Sequence, residues 1–345
     1  MDSKKLACVL AISGMMVGCG GETPSENTFT FPARDENCAA GAAPPCMTDT
    51  PANTDAARTI ELPEGFADRT LTYVIGTVAL PEATPDPDGD GPQRSQAAGF
   101  NVDGLDSGNG STDIEANCEE FNQDFISVTD SSHVGVDNAL QGLVGTIEGL
   151  LDAADCPGMM TAGCLDATLQ RQILEGSLIL MVEVSGVNDF MYDSNVMVQM
   201  HLGEVPGGGM PTEGSGGGLA GGQTFTSTMT LGAPVQGDIF AGRLRVATPS
   251  LPLSIMAGDF NLTLMITQAQ VRFNITETAM TNGSIGGVVT VDAIVEAASA
   301  IMPGIEDTVR TVVESVADVT PSSADPAVCD AVSLGLTFSG VDATF

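Results

Sequence analysis

Apolar and polar residues alternate along much of the second half of the chain. Apolar side chains occupy every second position from Phe260 to Ile266, and again from Ala269 to Ile275. A period of two places one set of side chains on a buried face and the other in water, which is typical of strands in antiparallel sheets. We therefore predict two strands, at 260–267 and 269–276.

Other stretches are rich in β-branched residues or have a weaker alternation, and each of these predicts a further strand. With the two above they make about ten strands in all. The further predicted strands are 71–80, 99–103, 177–187, 195–204, 223–231, 239–247, 251–256 and 331–338.

Three regions show the helical spacing of apolar residues instead. The first covers residues 136–151, for which Asp137 is the predicted N-cap. The second is shorter and covers 165–175, and the third covers 291–317 with an interruption at Pro303-Gly304. Helices inserted between runs of strands predict a β-rich α+β fold.

The predicted organisation is one antiparallel β-sandwich-like domain over residues 59–345. Residues 203–222 are rich in glycine, so we predict a flexible, exposed loop inserted in this domain. Residues 19–58 are rich in Ala, Pro, Thr and Asp without apolar periodicity, which predicts a disordered acidic tether.

The first 18 residues have the features of a secretory signal peptide. Lys4 and Lys5 precede a short apolar run, which is shorter than the roughly 20 residues of a membrane-spanning helix. The run ends in Met16-Val17-Gly18-Cys19, which resembles the lipobox of bacterial lipoproteins. The alternative is an ordinary signal peptide, with Cys19 as one more thiol.

Membership of the lipoproteins would have definite consequences. The resemblance implies that the chain is cleaved just before Cys19 and that the thiol and the new amino group of Cys19 are then acylated, with palmitate among the acyl groups. These acyl chains would anchor the protein to the membrane. Several acyl chains anchor a protein firmly, whereas a single chain does so only marginally. Gly20 follows the cysteine where an Asp would favour the inner membrane in this family, so the resemblance implies an outer-membrane lipoprotein.

The chain is strongly acidic, with 45 Asp and Glu against 11 Lys and Arg and a formal net charge of −34 in 345 residues. Such a surface repels nucleic acid and anionic lipid headgroups, which argues against both as partners. It attracts divalent cations. Both lysines lie within the first 18 residues, and such a lysine-free acidic surface resembles those of proteins from saline habitats.

The chain has eight cysteines, a number that is ordinary for an exported protein and high for a cytosolic one. Setting aside Cys8 and Cys19 leaves six thiols, whose pairing the sequence alone does not fix. Short loops close easily, which favours Cys38–Cys46 and Cys156–Cys164 and leaves the long-range pair Cys118–Cys329. A structural zinc site has little support, since the chain contains no CxxC.

Alternating acids suggest a calcium site. Asp86, Asp88 and Asp90 precede a glycine as at the start of a calcium loop, but Ala97 occupies the position of the closing Glu. A calcium site built from several converging loops therefore remains a hypothesis, with further ligands from a second acidic cluster. The simpler interpretation is that these residues form acidic turns on the surface. The predicted ligands in that second cluster are Asp103, Asp106 and Asp137. The segment around them, GFNVDGLDSGNG followed by GVDNAL, resembles uncharacterised Asp-rich bacterial envelope lipoproteins, which implies no activity.

Signals for catalysis are weak. The chain has two histidines, His133 and His201, and lacks the GxSxG, HExxH and P-loop motifs, as well as a GxGxxG placed between a strand and a helix. We therefore expect a lipid-anchored cell-envelope protein with a non-enzymatic binding or structural role. Its expected ligand is an unknown protein or glycan. The alternatives are a calcium-dependent adhesion or carbohydrate-binding module, and an envelope hydrolase with an unrecognised acid pair.

Overall fold

The structure is a computed structural model in which fifteen strands and three bounded helices are defined. It describes residues 28–31, 58–61, 68–80, 84–85, 95–104, 118, 124–128, 134–144, 163–257, 260–301, 304–320 and 328–345. The helices are α1 Cys164–Glu175, α2 Val291–Ile301 and α3 Glu306–Glu314, and residues 140–144 are also helical. The strands are β1 Thr28–Phe31, β2 Arg58–Glu61, β3 Arg69–Ala79, β4 Thr84–Pro85, β5 Ser95–Ala97, β6 Phe125–Ser127, β7 Val134–Val136, β8 Ile179–Val187, β9 Tyr192–Glu204, β10 Gln223–Thr224, β11 Thr226–Phe240, β12 Arg243–Ala257, β13 Phe260–Ile275, β14 Ala279–Thr290 and β15 Ala331–Thr344.

Eight antiparallel strands form a closed β-barrel, in the order β3-β8-β9-β11-β12-β13-β14-β15. The ring closes where β15 pairs with β3, placing Phe338 opposite Val78. Strand β10 lies outside the ring and pairs in parallel with β15. The predicted β-sandwich is therefore wrong. Alternation identifies strands with one buried face, but it does not say whether a sheet ends in free edges or closes on itself.

Apolar side chains fill the interior of the barrel. Ile239, Leu244 and Phe273 occupy neighbouring register positions on three strands, and each is fully buried. Tyr73 of β3 is also fully buried, and its hydroxyl donates a hydrogen bond of 2.5 Å to the carbonyl of Thr276. These residues belong to one continuous core cluster, so the barrel has a packed interior.

Strand β13 is one long strand where the sequence predicts two. Its residue Gln268 has a φ of +50°, and the register with β14 shifts between Thr267 and Gln270. A β-bulge of this kind moves the apolar positions from even to odd numbers without breaking the strand. The bulge accounts for the two separate alternating stretches.

The predicted strand at 239–247 is wrong, because the chain turns in its middle. Strands β11 and β12 are joined by Ala241 and Gly242, whose φ angles are +51° and +81°. Two left-handed residues form the type I′ turn that suits a hairpin. Strand β14 was not predicted, since its glycines and small residues hide the alternation.

Helix α1 and the glycine-rich segment cover one side of the barrel. Leu219 is buried in the main core, and its backbone nitrogen would lie 3.1 Å from a Cβ at Gly76 of β3. Gln170 of α1 donates to the carbonyls of Gly76 and Gly217, each at 3.0 Å. The prediction of an exposed loop at 203–222 is therefore wrong for Leu219, although residues 206–210 are exposed.

A small four-stranded sheet, in the order β4-β5-β6-β7, lies against a second side of the barrel. Cys118 is joined to Cys329, just before β15, by a disulfide with a Cα–Cα distance of 5.3 Å. The predicted long-range pair is thus formed. Strands β1 and β2 pair with each other. Strand β1 lies inside the predicted tether at 19–58, and β2 begins at its last residue.

Candidate functional site

The best-defined polar cluster lies where the small sheet meets the barrel. Asp137 follows β7 directly and is buried, and its carboxylate accepts backbone N–H groups of Val102 at 2.6 Å and Asp103 at 3.4 Å. Asn101 closes the same turn by accepting the N–H of Gly104 at 2.6 Å. Asp137 therefore holds the 101–104 turn, and its predicted role as N-cap of a helix starting at 136 is wrong because β7 extends to 136.

Asp318 is the third buried aspartate of this cluster, after Asp103 and Asp137. Asp318 accepts the backbone N–H of Ser333 at 2.8 Å and also the Ser333 hydroxyl. Burial, helped by the nearby charge of Asp103, raises the pKa of Asp318 to about 7, although the hydrogen bonds from Ser333 oppose the shift. The Ser333 oxygen also accepts the N–H of Ala139 at 2.8 Å, which connects the cluster to the helical residues 140–144.

Asn138 links the small sheet directly to the barrel. Its amide donates to the carbonyl of Ala98 at 2.8 Å and accepts the N–H of Gly335 at 3.2 Å. A Cβ at Gly335 would lie only 2.0 Å from the Ala98 oxygen, so this close approach requires glycine. The two layers are thus in backbone contact.

A buried arginine forms the other end of the junction. Arg272 of β13 is 1% exposed, donates to the Ser127 hydroxyl at 2.7 Å and stacks over the ring of Phe100 at 4.8 Å. Phe100 in turn fits over Gly286, where a Cβ would lie 2.7 Å from its ring. A cation against an aromatic face is favourable when both are desolvated.

Of the six predicted calcium ligands, the structure describes two, Asp103 and Asp137, and brings them together. Asp86, Asp88, Asp90 and Asp106 lie outside the described residues. Among the described residues, no group of three or more His, Cys, Asp or Glu side chains is arranged to hold a metal ion.

The cysteines and histidines are only partly described. Cys19, Cys38, Cys46, Cys156 and His133 lie outside the described residues, and Cys164 is described only as the first residue of α1. His201 of β9 is half-buried, with Nδ1 at 3.2 Å from the Ser227 hydroxyl and its ring against Phe345.

Sequence reasoning missed Asp318, Asn138 and Arg272 as parts of the junction. Asp318 lies after a helix in an unremarkable acidic stretch, and Asn138 stands beside the predicted ligand Asp137. Arg272 offered a signal, because it is a charged residue within an otherwise uncharged alternating strand.

Compared with protein-family models, curated proteins and solved structures, the chain matches none of them. Among the described residues, no helix has the length and apolar character needed to span a bilayer.

Proposed function

We propose that the chain is a lipid-anchored cell-envelope protein of the outer membrane, with a non-enzymatic binding or structural role. The observation that carries the proposal is Cys19 in the context Met16-Val17-Gly18-Cys19, after a basic and apolar start. The Cys118–Cys329 disulfide supports it, because such bonds persist in oxidising compartments outside the cytosol.

Acylation at Cys19 is tested by expressing the chain in a bacterial host supplied with labelled palmitate. We expect label in the parent and in Cys8→Ser, a matched control from the same signal segment, and none in Cys19→Ser. Label that survives Cys19→Ser would contradict the anchor. Mass spectrometry of the amino-terminal peptide identifies the acyl groups.

The non-enzymatic role has its own test. A hydrolase panel covering esters, peptides and glycosides should give no turnover with the purified chain. Turnover that disappears in His201→Ala or His133→Ala would overturn this part of the proposal.

A second candidate, a calcium-dependent adhesion or carbohydrate-binding module, is favoured by one observation. Asp103 and Asp137 meet at the junction, and the charge of Asp103 acts on Asp318. Calcium binds through several carboxylate and carbonyl oxygens, and a cation here would relieve the repulsion between the acids.

Calcium titration calorimetry, paired with thermal unfolding with and without chelator, tests this candidate. A ligand that binds only the folded state raises the unfolding midpoint. We expect Asp103→Asn to weaken calcium binding, and Asp292→Asn, an exposed acid on α2, to leave it unchanged. A midpoint that calcium at millimolar concentration does not move would remove the candidate.

A further inference from the structure

Strand β14 contains an Asn-Gly pair at a place where its pairing is irregular. In the ladder with β13, the register shifts between Thr281 and Ser284. In the ladder with β15, it shifts between Met280 and Gly283. Asn282 lies inside both shifts and, among the described residues, has no register partner on either neighbouring strand. A β-bulge leaves such an extra residue outside the regular ladder.

The fold accounts for both residues of the pair. Asn282 has a φ of +50°, in the left-handed region that asparagine adopts more readily than most residues. A Cβ at Gly283 would lie 2.6 Å from the ring of Phe338, which is buried in the main core. Packing therefore requires glycine at 283, and the backbone favours asparagine at 282, whatever the reactivity of the pair.

The side chain of Asn282 is exposed to water and unrestrained. Its amide makes no hydrogen bond to another described residue. Asn195 is exposed too, but its Oδ1 accepts a hydrogen bond of 3.3 Å from Gln236, and a valine follows it. Because neither ladder holds Asn282 itself, rotation about its own bonds can bring the amide to the Gly283 nitrogen without breaking a register pair.

We propose that Asn282 is a site of spontaneous deamidation in the folded protein. The backbone nitrogen of Gly283 attacks Cγ of the Asn282 amide, and a new N–C bond forms. The amide C–N bond breaks, and ammonia leaves with the proton that the Gly283 nitrogen gives up. Glycine favours the attack, because it has no side chain to obstruct the approach. Water then opens the cyclic imide at either of its carbonyls, which gives aspartate or isoaspartate.

The two products differ in how they fit the strand. Aspartate tolerates the left-handed conformation as asparagine does, so it preserves the backbone. Isoaspartate adds a methylene to the main chain. Thr281 pairs with Asn274 of β13, and Gly283 pairs with Phe338 of β15. The methylene lies between these two pairs, so we expect isoaspartate to loosen β14 against both neighbours.

Peptide mapping by mass spectrometry tests the reaction, after incubation of the folded chain at mildly alkaline pH. The chain carries Cys19→Ser for solubility and Asn109→Gln, which removes the other Asn-Gly pair of the sequence. Synthetic peptides identify the aspartate and isoaspartate products. We expect Asn282 to convert at least about tenfold faster than Asn195. Asn282→Gln should suppress conversion at this position, because its longer side chain closes the imide ring less readily.

The fit of the products has a separate test. Ion exchange isolates the aged protein by its added negative charge, and urea unfolding compares it with the variant Asn282→Asp. The variant should match the unaged parent, and the aged protein should unfold at lower urea because it also contains isoaspartate. Conversion of Asn282 no faster than that of Asn195, or only in the urea-unfolded chain, would overturn the proposal. Aged protein as stable as Asn282→Asp would contradict the loosening of β14.

Discussion

At the scale of single residues, the junction between small sheet and barrel is held by groups that are costly to bury. Asp318 is 2% exposed, with Asp103 as its charged neighbour. Ionising a buried carboxyl beside another negative charge costs free energy. The pKa of Asp318 is therefore raised to about 7 in the folded protein. Between about pH 4 and pH 7, the carboxyl of Asp318 is therefore protonated in the folded protein and ionised in the unfolded chain.

This difference predicts how stability depends on pH. The pKa of Asp318 rises from 3.8 to about 7 on folding, so its stabilising contribution is complete below about pH 4 and is lost as the pH rises through about 7. Asp318→Asn should remove this part of the slope, which is on the order of 4 kcal/mol at most. Urea unfolding between pH 4 and 8 measures it.

The control is Asp292→Asn, since Asp292 is an exposed partner of Arg310 on the helical side of the molecule. Its pH profile should follow that of the parent. A parent and an Asp318→Asn variant with parallel profiles would show that Asp318 ionises normally.

At the scale of elements, the glycine-rich segment acts as a fixed cover for the barrel. Gln223 clamps it, accepting the N–H of Thr212 at 2.6 Å and donating to its carbonyl at 2.9 Å. The N–H of Gly214 bonds to the carbonyl of Gly218 at 2.7 Å, next to the buried Leu219. The segment is therefore anchored through its middle as well as at its ends.

We predict that Leu219→Ala destabilises the protein by about 2–5 kcal/mol, because it leaves a cavity against the core. Proteolysis within 205–222 should become faster in the same variant. Met210→Ala, in the same segment but 70% exposed, should change stability by less than about 0.5 kcal/mol. Thermal unfolding and limited proteolysis check both, and equal effects of the two substitutions would contradict the anchoring role of Leu219.

Local composition and periodicity made some elements predictable. The predicted strands at 71–80, 177–187 and 195–204 correspond to β3, β8 and β9, and the helix at 165–175 to α1. Failures occurred where one residue changes the geometry: Gln268 adds a bulge to β13, and Gly242 completes a turn inside a predicted strand. Both depend on backbone angles that periodicity does not encode.

Closure of the barrel and assembly of the candidate site depend on contacts between distant residues. Nothing local to β3 or β15 specifies that they pair with each other. Asp103 and Asp137 were selected as members of one acidic cluster in the sequence, whereas Asp318 joins them only because β15 brings Ser333 to the junction. Sequence reasoning therefore found two members of the cluster and missed the third.

At the scale of the whole molecule, the Cys118–Cys329 disulfide links positions 211 residues apart. Such a link restricts the unfolded chain, so its removal favours unfolding. The bond also attaches the region of the small sheet to the start of β15, close to the Asp318 cluster. It connects two layers that otherwise meet through the polar junction.

We predict that Cys118→Ser combined with Cys329→Ser lowers the unfolding free energy by about 2–5 kcal/mol. Alkylation followed by mass spectrometry should show one disulfide fewer than in the parent, and urea unfolding gives the stability. An unchanged urea midpoint would mean that the polar junction alone holds the two layers.

The pairing of β15 with β3 also has a consequence for how the chain acquires its structure. Phe338 and Val78 face each other across the closing ladder although they are far apart in sequence, and most other barrel strands pair with near neighbours in the chain. Folding slows as contacts become more distant in sequence. A ribbon of adjacent hairpins from β8 to β14 can assemble early and still expose its apolar face until β3 and β15 close the ring. The final closure is then the slow step, and until it occurs the chain has the open edges that invite aggregation.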